Sequence, residues 1–296
     1  MDSEVDATSA GRILKCCLSD AIRSGISYDA PEIRADRACI FGCDPVSLAG
    51  EIVSDLADCR SPSPVPCISD LRVPGWVCDD VVAIVIGDTC AKALSGELIS
   101  RGCRLFVLIQ SDIDVAGAEA VRIPNGMGFA ESIGFALGAT ASIITSAGIF
   151  DVVGTLSGSL QCIEGFATEC AGIPALDRER LHAFYSTSDI HAAAKICRAA
   201  FTACAGRAAF CGELPEFDHN ELVGWSDANT HAPELTMVVV RGDNGDGIVT
   251  DIVDSMLEVL SENGRNVMVY DVPGADAAAK DCNALLLGIA LAGRDA

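Results

Sequence analysis

Lysine is nearly missing from this chain. Only Lys15, Lys92, Lys195 and Lys280 occur, and all lysines and arginines together number 20 against 42 acidic residues. The resulting formal charge of −22 repels nucleic-acid phosphates and anionic lipid headgroups, so neither nucleic acid nor a membrane is an expected partner. A second absence is the C-x-x-C pair. Fifteen cysteines are present, but they lie scattered in apolar stretches, as at Cys67, Cys103, Cys162 and Cys197. The nearest approach is Cys39-Ile-Phe-Gly-Cys43, with no second pair or histidine cluster to complete a zinc site. The expectation is buried free thiols in a reducing compartment, no metal and no other cofactor. The opening Met1-Asp-Ser-Glu-Val-Asp6 also lacks the apolar core of a signal peptide, which points to a cytoplasmic protein.

Charge is missing from one long run, Ser132 to Phe150, near the length of a membrane-spanning helix. It is rich in Gly, Ala, Ser and Thr, and Glu131 and Asp151 bracket it closely. A central helix packed between a sheet and a partner accounts for it better, and a homodimer burying this helix is the expected assembly.

What is present is alternation. At 296 residues the chain has room for two domains. Ala38–Phe41, Val81–Ile86 and Leu105–Ile109 read as buried strands, each followed by turn residues, with helices at Ser47–Ala57 and Ala91–Ser100 between them. The second half repeats the plan: strands at Leu181–Tyr185, Leu235–Val240 and Asn266–Tyr270, and a helix at Ile248–Ser261 that stops at Asn263-Gly264. The fold class is therefore α/β, with two doubly wound domains, each a parallel sheet flanked by helices. The expected divisions are an N-terminal helical segment 1–37, a first domain 38–173 and a second domain 174–296.

Ligands of such sheets gather at the carboxyl ends of strands, beside helix N-termini. That selects loops 42–47, 87–91, 186–189 and 241–247. None is a nucleotide fingerprint: Gly242-Asp-Asn-Gly-Asp-Gly247 lacks the spacing and carries two carboxylates where a pyrophosphate would want none.

The densest polar cluster is Glu213-Leu-Pro-Glu-Phe-Asp-His-Asn-Glu-Leu-Val-Gly-Trp225. An imidazole among carboxylates is a general acid/base set, although a solvated acidic loop would look the same. The run 215–225 resembles the P-E-x-x-H-N-E-[IL]-x-G-W segment of the archaeal bifunctional phosphoglucose/phosphomannose isomerases, a family of the sugar-phosphate isomerase (SIS) fold. The resemblance implies two SIS-type domains, a homodimer and an enediol mechanism between aldose and ketose phosphates. It implies that His219 opens the sugar ring. The family's glutamate, which moves a proton between C1 and C2, falls on Ala203, so Glu213 or Glu216 would have to replace it. The phosphate loops it implies are Gly42-Cys-Asp-Pro-Val-Ser47 and Ile84-Val-Ile-Gly-Asp-Thr-Cys90. Gly42, Ser47, Gly87 and Thr89 remain to hold a substrate, while Asp44 and Asp88 add negative charge. A family Pro-Arg pair is replaced by Phe129-Ala130.

Three readings stay open at this point. One is a hexose-phosphate isomerase interconverting glucose 6-phosphate or mannose 6-phosphate with fructose 6-phosphate. Another is a catalytically degenerate protein that binds a sugar or sugar phosphate, or regulates a partner. The last is a dimeric scaffold without ligand.

Overall fold

A computed structural model describes residues 7–187, 190–214, 235–242 and 247–293. The chain divides into two compact units: Lys15–Gln161, and Met1–Leu14 with Cys162–Ala296. They are called the first and second unit here, by the order of their sheets.

In the first unit the strands are β1 (Arg37–Gly42), β2 (Cys67–Ile68), β3 (Val81–Ile86), β4 (Arg104–Ile109) and β5 (Glu119–Arg122). They form one sheet in the order β2-β1-β3-β4-β5, and every pairing is parallel. The central strand β3 is buried at all six positions, which is why it reads as an unbroken Val/Ile run rather than an alternating one. Phe41, Phe106, Leu94 and Leu98 fill its surroundings. Around the sheet lie α1 (Ala7–Ile26, of which the part from Lys15 belongs to this unit), α2 (Leu48–Arg60), α3 (Asp88–Ser100) and α4 (Phe129–Ser146). Then comes α5 (Val152–Cys170).

The second unit has β6 (Leu181–Thr187), β7 (Ala209–Leu214), β8 (Leu235–Gly242) and β9 (Asn266–Val272). Their order is β7-β6-β8-β9, again parallel throughout. The helices are α6 (His191–Ala205), α7 (Gly247–Glu262) and α8 (Ala277–Leu291). The two sheets share one winding, with the first strand in second place and the later strands added on one side. In that winding β3 corresponds to β8 and β4 to β9, the pairs the sequence repeat picks out.

The apolar run expected to face a second subunit is already largely covered by its own chain. Helix α4 is long and apolar enough to cross a membrane, yet 78% of it is buried inside the protein. Its cover comes from its own unit. At Gly134 an added Cβ would lie 2.9 Å from the Leu18 carbonyl oxygen, and at Gly138 one would lie 2.2 Å from that of Ile22. The backbones of α1 and α4 thus meet with no side chain between them, and Ser142 Oγ donates to Ile26 O at 2.8 Å. The other side of α4 packs on α2. The helix is buried without a second copy because the small residues that looked like an interface serve this internal crossing.

One core residue of the second unit sets a pH response. His182 on β6 is 1% exposed, and among the described residues neither ring nitrogen has a hydrogen-bond partner; its ring lies 5.0 Å from that of Phe201. Burial, then the nearby Arg207, lowers its pKa below the ordinary histidine value. The unfolded chain therefore takes this proton first, and stability is lost as pH falls below about 6.5. Replacing His182 with Phe should remove that part of the loss. Thermal midpoints measured from pH 7.5 to 5.5 should fall less in the variant than in the parent, and equal slopes would refute the assignment.

Candidate functional site

The carboxyl ends of β1, β3 and β4 enclose a pocket of about 240 Å³ lined by Asp44, Val46, Gly87, Asp88, Thr89, Leu108, Gln110 and Ile123. Chain geometry around it follows from two turns. After Gly42 the chain makes a 3-10 turn, Pro45–Ser47, capped by Asp44. Asp44 Oδ1 accepts N–H bonds from Val46 at 3.0 Å and Ser47 at 3.2 Å. Ser47 turns its hydroxyl back onto the Asp44 carbonyl at 2.6 Å. After β3, Gly87 takes φ +99°, a conformation that favours glycine, and a Cβ there would lie 1.9 Å from Asp44 Oδ2. Asp44 can occupy its place because residue 87 has no side chain.

Asp88 opens α3 and turns the other way. Its Oδ1 accepts from the backbone N–H of Gln110 at 3.2 Å and of Ser111 at 3.3 Å. Two sets of backbone donors, at the start of the 3-10 turn and at the end of β4, are thus filled by the protein's own carboxylates. Free N–H groups of this kind are what bind phosphate in many proteins. Here the anion is built in. Burial pushes the Asp44 carboxyl up, the Ser47 and Val46 N–H groups pull it down, and the charge of Asp88 raises it further, with a net rise above the usual carboxylate value.

The structure brings together only part of the expected set. Gly87 and Thr89 line the pocket, whereas Gly42 and Ser47 are buried behind it and do not. Asp44 and Asp88 do face it. Val46 belongs to the expected loop 42–47, whereas Leu108, Gln110 and Ile123 lie outside every loop the sequence selects; Gln110 follows a strand directly, and that position is the signal available.

In the second unit Glu213 sits exposed near the carboxyl end of β7, the edge strand. His219 and Glu216 lie outside the described residues, as do 188–189 and 243–246 of the other two candidate loops. Ala203 is exposed on the last turn of α6. Because α6 is the crossover between parallel β6 and β7, that turn lies at the amino-terminal edge of the sheet, away from the edge where Glu213 sits.

Among the described residues the one group of metal-ligand type is Cys78, Asp79 and Asp80, at the amino-terminal end of β3. It does not suit a cation. Asp80 already holds Arg37 at 2.7 and 2.8 Å and accepts from the Cys78 thiol at 3.0 Å. None of the described cysteines is in a disulfide, but they are not uniformly buried as expected: Cys43, Cys59 and Cys211 are exposed.

Comparison with known proteins agrees with the fold. Residues 175–288 match the bacterial phospho-glucose isomerase C-terminal SIS domain. By sequence, no curated protein matches the chain. Among solved structures it is similar to the C-terminal domain of glucosamine-fructose-6-phosphate aminotransferase from Francisella tularensis, with TM-score 0.65 and 13% identity over 98% of this chain and 96% of that one. It is also similar to tagatose-6-phosphate ketose/aldose isomerase from Escherichia coli, with TM-score 0.60 and 12% identity over 97% and 91%. A glucose-6-phosphate isomerase like protein from Thermus thermophilus gives TM-score 0.52 and 13% identity over 96% and 92%. The chain has the SIS-type α/β fold, two parallel sheets flanked by helices, across nearly its whole length.

Proposed function

We propose that this chain is a carbohydrate-binding protein on the SIS fold whose first unit no longer accepts the phosphate of a sugar phosphate. The observation that carries this reading is the Asp44 carboxylate bound to the Val46 and Ser47 N–H groups. A phosphate dianion seeking those donors would have to displace one carboxylate and sit beside another, Asp88. Like charges brought together in a partly desolvated site cost several kcal/mol. Carboxylates and a carboxamide suit the hydroxyl or amino groups of an unphosphorylated sugar instead, because they accept hydrogen bonds and attract a cation. We also place the protein in the cytoplasm as a homodimer, on its acidic surface and many thiols and on its likeness to a dimeric family.

A second reading is favoured by one specific feature, the run 215–225. In it the chain is a divergent archaeal-type phosphoglucose/phosphomannose isomerase. His219 opens the ring, Glu216 or Glu213 carries the proton between C1 and C2, and the phosphate is held by other loops.

Purified protein offered fructose 6-phosphate separates the two, with glucose 6-phosphate and mannose 6-phosphate as products. The binding reading expects no turnover, and calorimetry should show glucose or glucosamine binding more tightly than its 6-phosphate. Turnover that disappears in His219→Ala would establish the isomerase. Absence of binding by any of these sugars would leave the scaffold reading.

A further inference from the structure

The rim of the pocket carries a pair of thiols that neither reading uses. Cys43 lies in the loop after β1, between Gly42 and Asp44; Cys90 lies in the first turn of α3, next to Thr89. They are 47 positions apart in sequence, yet their Sγ atoms are 2.6 Å apart. That is well inside ordinary contact between two thiols and only about 0.6 Å longer than a sulfur–sulfur bond. Cys43 is exposed and Cys90 is buried at 2% exposure. We infer that Cys43 and Cys90 form a reversible disulfide when the protein meets a peroxide, and that this bond ties loop 42–47 to α3 across the rim of the pocket.

The asymmetry of the pair assigns the steps. The Cys90 thiol is pushed up to about 12, by burial first and then by its hydrogen bond to Cys43, so it stays protonated and does not attack an oxidant. Cys43 is the entry point. After losing its proton to solvent, its sulfur attacks one peroxide oxygen, the O–O bond breaks, and the hydroxide that leaves takes up a proton to become water. Cys43 is then a sulfenic acid. The Cys90 sulfur attacks the Cys43 sulfur, the S–O bond breaks, and the departing hydroxide accepts the Cys90 proton as a second water. Two thiols have lost two electrons and two protons, and one peroxide has become two waters. A dithiol reductant reverses the result.

This proposal does not depend on what the pocket binds. Its main competitors are elsewhere: Cys59 and Cys211 are also exposed, so an indiscriminate oxidation would show at those positions. The test is oxidation of the reduced whole chain with a few equivalents of hydrogen peroxide, alkylation of remaining thiols, and peptide mapping without reductant. The expected result is one cross-link, Cys43 to Cys90, formed before any other change and removed by dithiothreitol. The oxidised protein should also melt higher by on the order of 5 °C, since the bond closes a long span of chain. Cys43→Ser should lose both effects while keeping the parent's melting temperature under reducing conditions. The inference is overturned if the first cross-link joins another pair, or if Cys43 advances to a sulfinic acid without one. Since the map is made on the parent protein, neither outcome depends on a variant folding.

Discussion

Asp44→Ser combined with Asp88→Asn should let the first unit bind phosphate, tightening its affinity for glucose 6-phosphate at least about tenfold, or about 1.4 kcal/mol. The introduced asparagine keeps an oxygen for the Gln110 and Ser111 N–H groups, and the introduced serine is short enough to leave room for an anion at the Val46 and Ser47 N–H groups. The stability cost should stay within about 1 kcal/mol, since serine also caps helices and two half-buried charges are removed. A pH signature accompanies the change. The folded chain holds the Asp44 proton more tightly than the unfolded chain does, because burial raises its pKa. Asp44 therefore adds stability as pH falls and withdraws it as pH rises through the folded value. Asp44→Ser should flatten that limb. Calorimetric titration with glucose 6-phosphate checks the affinity. No gain in the double variant would mean that something other than these carboxylates excludes the anion.

A larger effect is expected at Gly138. Its missing Cβ would lie 2.2 Å from the Ile22 carbonyl oxygen and 2.6 Å from the Ile26 N. Both are backbone atoms, so a rotamer change cannot relieve the clash and the helices must separate. Gly138→Ala should cost about 3 kcal/mol or more and lower the melting temperature by on the order of 10 °C. Gly158→Ala is the control, because nothing lies within 4 Å of its would-be Cβ. If the two variants melt alike, the close approach of α1 and α4 is wrong.

The parts of this fold that declare themselves in sequence are those set by local composition. Val81–Ile86 is six apolar residues, five of them β-branched, between Asp80 and Gly87; it is a strand buried on both faces and could be little else. The same holds for Leu105–Ile109 and Leu235–Val240. Edge strands are harder to read. Glu119–Arg122 is half charged because it borders solvent, Cys67–Ile68 is two residues long, and Ala209–Leu214 carries an exposed Phe210 and Glu213. The uncharged helix is legible but its partner is not, since small residues at a crossing do not say whether the other helix belongs to the same chain.

For the site, a strand followed by Gly87-Asp-Thr89 and a helix is a local signal, and all three of those residues line the pocket. Gln110, Leu108 and Ile123 come from β4, its end and just beyond β5, and which strand ends meet depends on the order β1-β3-β4-β5. No local pattern carries that order. The contact of Cys43 with Cys90 is hidden for the same reason. Cys43 draws notice beside Cys39, its sequence neighbour, while its spatial neighbour lies on another element.

Strand β3 bears on the chain before it folds. Parallel strands need a crossover before they can pair, so β3 must wait for the whole stretch from β1 to be placed. During that interval Val81-Val-Ala-Ile-Val-Ile86 is an uncharged, proline-free, β-prone segment of the length that stacks into aggregates between chains. It is bracketed by Asp79 and Asp80 on one side and Asp88 on the other. Stacking such segments in register would pile these carboxylates on one another in every layer, so the residues that hold Arg37 and shape the pocket in the folded protein also keep unfolded copies apart.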